Sequence, residues 1–291
     1  MTLQELFELY CEKRLRGCST RTITLYKHSI EAFTKTVGQP ATTLDLTDDN
    51  LYKHMHERVE CGRSKATANK DHAQITAIWR WANKNRLCDT WPSVRKMQEP
   101  ERVPLGWTPD ELNRIFASIE KHPGRIFGVP ASLWWKCLLL VLVDTGERIG
   151  PMRKLTRDSF NGEYLLVSAE LRKRGTRDKL YKLSPETVQS LADLLGQHKQ
   201  AVIFPWDRSE TYIYYSYDLI LRRAMLSHDA RSKFHRIRRT CGSAVKLLGG
   251  DPTAALDHAS PRTTRRYIDP RIVGDTPTSD YMWRYRRGQS G

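Results

Sequence analysis

No stretch of this 291-residue chain stays apolar for long. The longest purely apolar run, residues 137–143, falls far short of the roughly 18 residues a membrane-spanning helix needs, which excludes an integral membrane protein of the helical kind. The opening residues, MTLQELFELY, lack the basic start and unbroken apolar core of a secretory signal, so export is not expected. Cysteine is sparse. Cys11, Cys18, Cys61, Cys88, Cys137 and Cys241 lie far apart, with no C-x-x-C pair and no histidines at zinc-ligand spacing, and they read as reduced thiols in a cytosolic protein. Also missing are G-x-x-x-x-G-K-[ST], G-x-G-x-x-G after a strand, H-E-x-x-H and G-x-S-x-G. Their absence removes the signatures of P-loop nucleotide hydrolysis, dinucleotide binding, zinc proteolysis and serine hydrolysis. No internal repeat is visible, which sets solenoids aside.

Positive charge is abundant. The 48 Lys and Arg residues exceed the 33 Asp and Glu residues and leave a formal charge of +15 at pH 7. Residues 1–100 contribute +4 and residues 101–291 contribute +11. Basic residues spread through folded sequence, with no basic tail beside an apolar anchor, point to a nucleic acid partner and not to a membrane.

Apolar residues in the first part recur at helical spacing: Leu3, Leu6, Phe7 and Tyr10, then Ile23, Tyr26, Ile30 and Phe33. Ser19, Thr47 and Ser64 are N-cap residues for further helices, which predicts a four-helix domain over 1–88. Residues 89–107, with Pro92, Pro100, Pro104 and Gly106, read as an extended linker. A second domain over 108–270 opens with Thr108-Pro109-Asp110-Glu111, a helix start with proline at the first helical position. It continues with a buried helix over 132–144 and strands over 164–168 and 180–183, joined by the basic turn 172–177. Further helices are expected from 185, over 214–226 and over 235–248, with a short one over 253–256. The aromatic run 212–217 reads as packing at the edge of the core ahead of contact with sugars or bases. The fold class is mainly α with a small antiparallel β-sheet (α+β), in two domains.

On the helix opening Phe234-His235-Arg236-Ile237-Arg238-Arg239-Thr240, His235 and Arg238 share a face, so an imidazole and a guanidinium can address one phosphate. Upstream stands Asp144-Thr145-Gly146-Glu147-Arg148-Ile149 after the buried helix. Downstream stands Leu256-Asp257-His258-Ala259-Ser260, with Tyr267 nine residues beyond His258. This ordered set resembles the tyrosine recombinase, or phage integrase, family. Its catalytic domain reads T-G-x-R-I, a lysine in a strand turn, H-x-x-R-R-T, then L-G-H-x-S with a tyrosine nine residues after that histidine. The four-helix pattern resembles the family's core-binding (SAM-like) domain, so the likeness covers nearly the whole chain.

The resemblance implies a site-specific recombinase that closes as a two-domain clamp on double-stranded DNA and forms a 3′-phosphotyrosyl intermediate, with neither ATP nor metal and no cofactor. Tyr267 is the implied nucleophile; Tyr281 and Tyr285 lack its spacing. Arg148 and Arg238 would hold the nonbridging oxygens, His235 would accept the phenolic proton, and His258 would donate to the phosphate. Lys173 would protonate the leaving oxygen, because arginine is a poor proton donor; counting back from Leu183 puts Arg174 at that position, and Lys179 is also near. Arg21, Lys65, Lys70, Arg153, Arg172, Arg174 and Arg239 are candidate phosphate contacts. The implied partners are DNA, three further copies of this chain in a tetramer on two sites, and accessory DNA-bending proteins. The implied location is the cytoplasm, at the nucleoid. Residues 271–291, with Tyr281, Met282 and Trp283, form a tail that is either exchanged between protomers or frayed. A type IB-like relaxing enzyme and a non-catalytic DNA-binding derivative are the alternatives.

Two positions depart from the family pattern. Pro151 stands where the family has Glu or Asp three residues after the first arginine, and Asp257 stands where glycine precedes the histidine. Glu147 is expected to replace the missing carboxylate, which requires that it not turn to solvent.

Overall fold

The computed structural model describes residues 1–172, 177–229 and 233–274. The chain divides into two compact units, Met1–Glu101 and Arg102–Gly291. In the first, α1 (Leu3–Arg14), α2 (Thr20–Val37), α3 (Asp48–Glu60) and α4 (Lys65–Lys84) each begin on a side-chain cap, from Thr2, Ser19, Thr47 and Ser64 respectively. Each cap satisfies an N–H that the first helical turn leaves unpaired. The helices bury Leu6, Phe33, Leu51, Ile75, Ile78 and Trp79 in one core. The linker expected over 89–107 is packed along its first half. Prolines deny it a helix, and α4 supplies partners for its backbone instead: His72 Nε2 lies 2.7 Å from Val94 O, Asn69 bonds both N and O of Met97, and Trp79 Nε1 donates to Thr90 O.

The second unit starts with α5 (Pro109–Glu120), whose capping box joins Thr108 and Glu111. A two-residue hairpin, β1 (Arg125–Ile126) with β2 (Val129–Pro130), leads into α6 (Ala131–Thr145). Helix α6 is the hub. Trp134, Trp135, Leu138, Leu139, Val141 and Leu142 are buried, and α5, α8 (Pro185–Gly196) and α10 (His235–Leu247) pack around it. The short α7 (Ile149–Met152) follows, then the antiparallel pair β3 (Tyr164–Val167) and β4 (Lys179–Lys182), with Leu165 opposite Tyr181. The helix expected over 214–226 is α9 (Glu210–Arg223); it ends early because Met225 takes the left-handed conformation, φ 52°. Beyond α10 come α11 (Pro252–Ala255), α12 (Pro261–Arg265) and α13 (Pro270–Val273). The fold is mainly helical with small antiparallel sheets. No helix among the described residues is long and apolar enough to cross a membrane.

Candidate functional site

The last turn of α6 is built to stop. Thr145 Oγ1 donates to Val141 O and accepts the Glu147 N–H, and Gly146 ends the helix at φ 60°. A Cβ on Gly146 would stand 3.1 Å from Leu256 and 3.2 Å from Cys241, so glycine serves both the turn and the close approach of α10 and α11. The turn delivers half-buried Arg148 at the start of α7, its guanidinium making no hydrogen bond or ion pair to the described residues.

Helix α10 presents His235 and Arg238 one turn apart. Arg238 is only 1% exposed; Nη1 donates to Gly146 O at 2.6 Å and Nη2 donates to Leu256 O. Its Nε is buried with no partner among the described residues. Two carbonyls thus hold the fork while other N–H groups remain for an anion. After α12, Tyr267 returns to this helix with its hydroxyl 2.6 Å from His235 Nε2. The His258 ring lies 4.4 Å from that of Tyr267; its Nδ1 pairs with Thr264 Oγ1 at 3.0 Å, and its Nε2 is buried without a partner among the described residues. Arg148, His235, Arg238, His258 and Tyr267 therefore converge.

Electrostatics keep both imidazoles neutral. Desolvation and the charges of Arg239, Arg238 and Arg148 push His235 down to about 4, although its outer edge is open to solvent. Desolvation with Arg238 and Arg148 pushes His258 to about 4 as well. Lys173 and Arg174 lie outside the described residues. Lys179, on β4, donates to Ala255 O, and burial holds its ammonium below the usual lysine range.

Glu147, expected to replace the carboxylate missing at Pro151, and Asp257 meet at one buried arginine. Arg172, expected to face DNA, is instead enclosed between Glu147 Oε1 and Asp257 Oδ2, each at 2.8 Å. Two carboxylates on its guanidinium already satisfy its charge, which leaves it a poor phosphate contact. Glu147 is not turned to solvent: at 3% exposure it also accepts the Tyr181 hydroxyl at 2.7 Å and the Arg148 N–H at 3.2 Å, with Arg238 Nη1 4.0 Å away. Burial raises its carboxyl, but Tyr181 and Arg172 outweigh that and hold it below the ordinary range. Asp257 occupies a left-handed position, φ 51°, that glycine fills without strain and Asp tolerates. Its carboxylate is engaged by Arg172 and by Arg177 at 3.0 Å.

Among the remaining candidate contacts, Arg153 pairs with Glu210 at 3.3 Å and Arg239 is half-buried. Arg21, Lys65 and Lys70 are exposed on the first unit. The aromatic run packs through Tyr217, which stacks on Phe234 at 4.5 Å and so seats the start of α10, while Tyr214 and Tyr215 remain exposed. Tyr181 had no local signal in the sequence, since strand alternation shows only which face it takes.

The sequence matches no curated protein. Among solved structures, the fold is similar to that of a lambda integrase dimer bound to a COC′ core site, with 17% identity, a TM-score of 0.74, and coverage of 93% of this chain and 78% of that one. It is equally similar to a lambda integrase tetramer bound to a Holliday junction, with 18% identity, a TM-score of 0.74, and coverage of 95% and 79%. Tn1549 transposon integrase in complex with circular intermediate DNA gives 15% identity, a TM-score of 0.74, and coverage of 97% and 98%. At these identities the likeness is one of fold. Residues 107–272 match the phage integrase family, and as this segment holds more than half of the sequence, the chain belongs to that family.

Proposed function

We propose that this chain is a site-specific recombinase that cuts and rejoins duplex DNA through Tyr267. The observation that carries the reading is the Tyr267 hydroxyl, 2.6 Å from His235 Nε2 and flanked by Arg238 and His258. As the phenolic oxygen attacks phosphorus, its proton passes to His235, which is neutral and available as a base. The P–O5′ bond breaks, the DNA 3′ end becomes a phosphotyrosyl ester, and the 5′ oxygen takes a proton from a lysine, Lys173 or Lys179. Arg148, the free N–H groups of Arg238, and His258 Nε2 stabilise the charge on the phosphorane. Attack by a 5′-hydroxyl reverses the sequence. The ester conserves the energy of the broken bond, so the scheme needs no ATP, and protein groups move every proton in it.

Glu147, bridged through Arg172 to Asp257, takes over the bracing of Arg238 that Pro151 cannot supply. Domains over 1–88 and 108–270 would close on the duplex, with Arg21, Lys65, Lys70, Arg153 and Arg239 contacting phosphates. The lambda integrase tetramer on a Holliday junction supports assembly of four protomers on two sites. Exchange of the C-terminal tail belongs to the same proposal; most of that tail lies outside the described residues.

The test is a nicked, labelled duplex carrying a candidate site. A denaturant-resistant protein–DNA adduct that disappears in Tyr267→Phe is expected. Specific binding with no adduct would favour a non-catalytic derivative, and relaxation of supercoils without strand exchange would favour a type IB-like enzyme.

A further inference from the structure

Two residues beyond the nucleophile, the carboxylate of Asp269 is fully buried (0% exposed). Its Oδ2 accepts the Gly106 N–H at 2.8 Å and Arg271 Nη2 at 2.8 Å, and its Oδ1 accepts the Arg271 N–H at 2.9 Å. Its own N–H donates to Ser243 Oγ at 2.8 Å, and that hydroxyl lies 3.3 Å from the Tyr267 carbonyl. Gly106 O in turn accepts Arg236 Nε at 3.0 Å and Arg271 Nη2 at 2.9 Å. Beside it, Thr240 Oγ1 accepts the Trp107 N–H at 2.6 Å, and the Arg236 guanidinium covers the Trp107 ring at 3.6 Å. A Cβ on Gly106 would stand 2.9 Å from both Thr240 N and Ile272 Cδ1. The backbone after Tyr267 is thereby pinned against α10, whose first turn carries His235 and Arg238.

We infer that Asp269, with Arg271 and Gly106, forms a latch that positions Tyr267: it fixes residues 267–271 in register against α10 and so sets the distance from the tyrosine hydroxyl to His235. The inference rests on the proposed role of Tyr267. A buried carboxylate deprived of one partner becomes costly, so the latch tends to engage or release as a unit. A displacement of about 1 Å at the reacting atom lowers a rate on the order of a hundredfold.

The test uses the full chain with 3-fluorotyrosine placed at position 267, observed by fluorine NMR without DNA. It is paired with single-turnover adduct formation and DNA affinity on the nicked duplex. In Asp269→Ala and Gly106→Ala, the fluorine resonance is expected to move or broaden and adduct formation at saturating DNA to fall on the order of a hundredfold, while affinity is kept. Asp269→Asn, which retains an acceptor but loses the charge facing Arg271, falls between. Unchanged resonance and rate in folded variants would overturn the latch, as would a parallel loss of affinity. Should Asp269→Ala fail to fold, Gly106→Ala and Arg271→Lys carry the same readouts. If the wild type forms no adduct, the proposed role of Tyr267 fails, while the fluorine resonance still decides whether the latch holds the ring.

Discussion

His235 and His258 both lie beside Tyr267, and burial together with the same arginines acts on both. Each is pushed to about 4 in the fold, against 6.5 in an unfolded chain. Between these values the unfolded state binds more protons, so stability is present at neutral pH and is lost as pH falls from about 6.5 toward 4. Thermal melts are expected to show Tm decreasing over that window. His258→Asn is expected to flatten the decrease, because one of the two linked protons is gone. On the proposed reading duplex DNA is expected to work the other way, since a phosphate placed among Arg148 and Arg238 would offset their charge and lift both imidazoles. Which rings come together beside Tyr267 was legible in the motifs. Their protonation was not, because it depends on desolvation and on arginines from α7 and α10 gathered around them.

At the scale of elements, the turn after α6 and the hairpin β3–β4 are joined by Glu147, which binds Arg172 beyond β3 and Tyr181 on β4. Among the described residues, removing its charge leaves Arg172 with Asp257 as its remaining ion-pair partner and Arg238 without an ion-pairing carboxylate. Glu147→Leu is expected to cost about 3–5 kcal/mol in urea unfolding, the range for stripping one partner from a buried ion pair. In the same measurement Asp257→Gly is expected to be mild, because Asp257 is partly exposed and glycine suits the positive φ. Helices were readable from apolar spacing and from the caps Ser19, Thr47, Ser64 and Thr108. The two-residue strands β1 and β2 were not, being too short to show alternation. The docking of residues 89–99 on α4 escaped for another reason: a segment held by side chains such as Asn69 and His72 has no period of its own.

For the whole molecule, a charge of +15 makes DNA affinity steeply dependent on salt. Exposed Arg21, Lys65 and Lys70 are each expected, when changed to Ala, to reduce the slope of log affinity against log salt by about 1. Arg172→Met is expected to leave that slope intact and to lower stability instead, since its charge is spent on Glu147 and Asp257. Binding isotherms over a salt series, together with urea melts, separate the two effects.

The order of the residues proposed to react, the apolar faces of the helices and the basic character of the chain are properties of spacing and composition, and they could be read along the chain because each is local. Which arginines are ion-paired and which are not, where the Glu147 carboxylate lies relative to Arg172 and Arg238, and how the segment after Tyr267 is anchored to Gly106 are of another kind. They rest on burial and on hydrogen bonds and ion pairs between residues 25 to 163 positions apart, and burial at one point depends on everything packed around it.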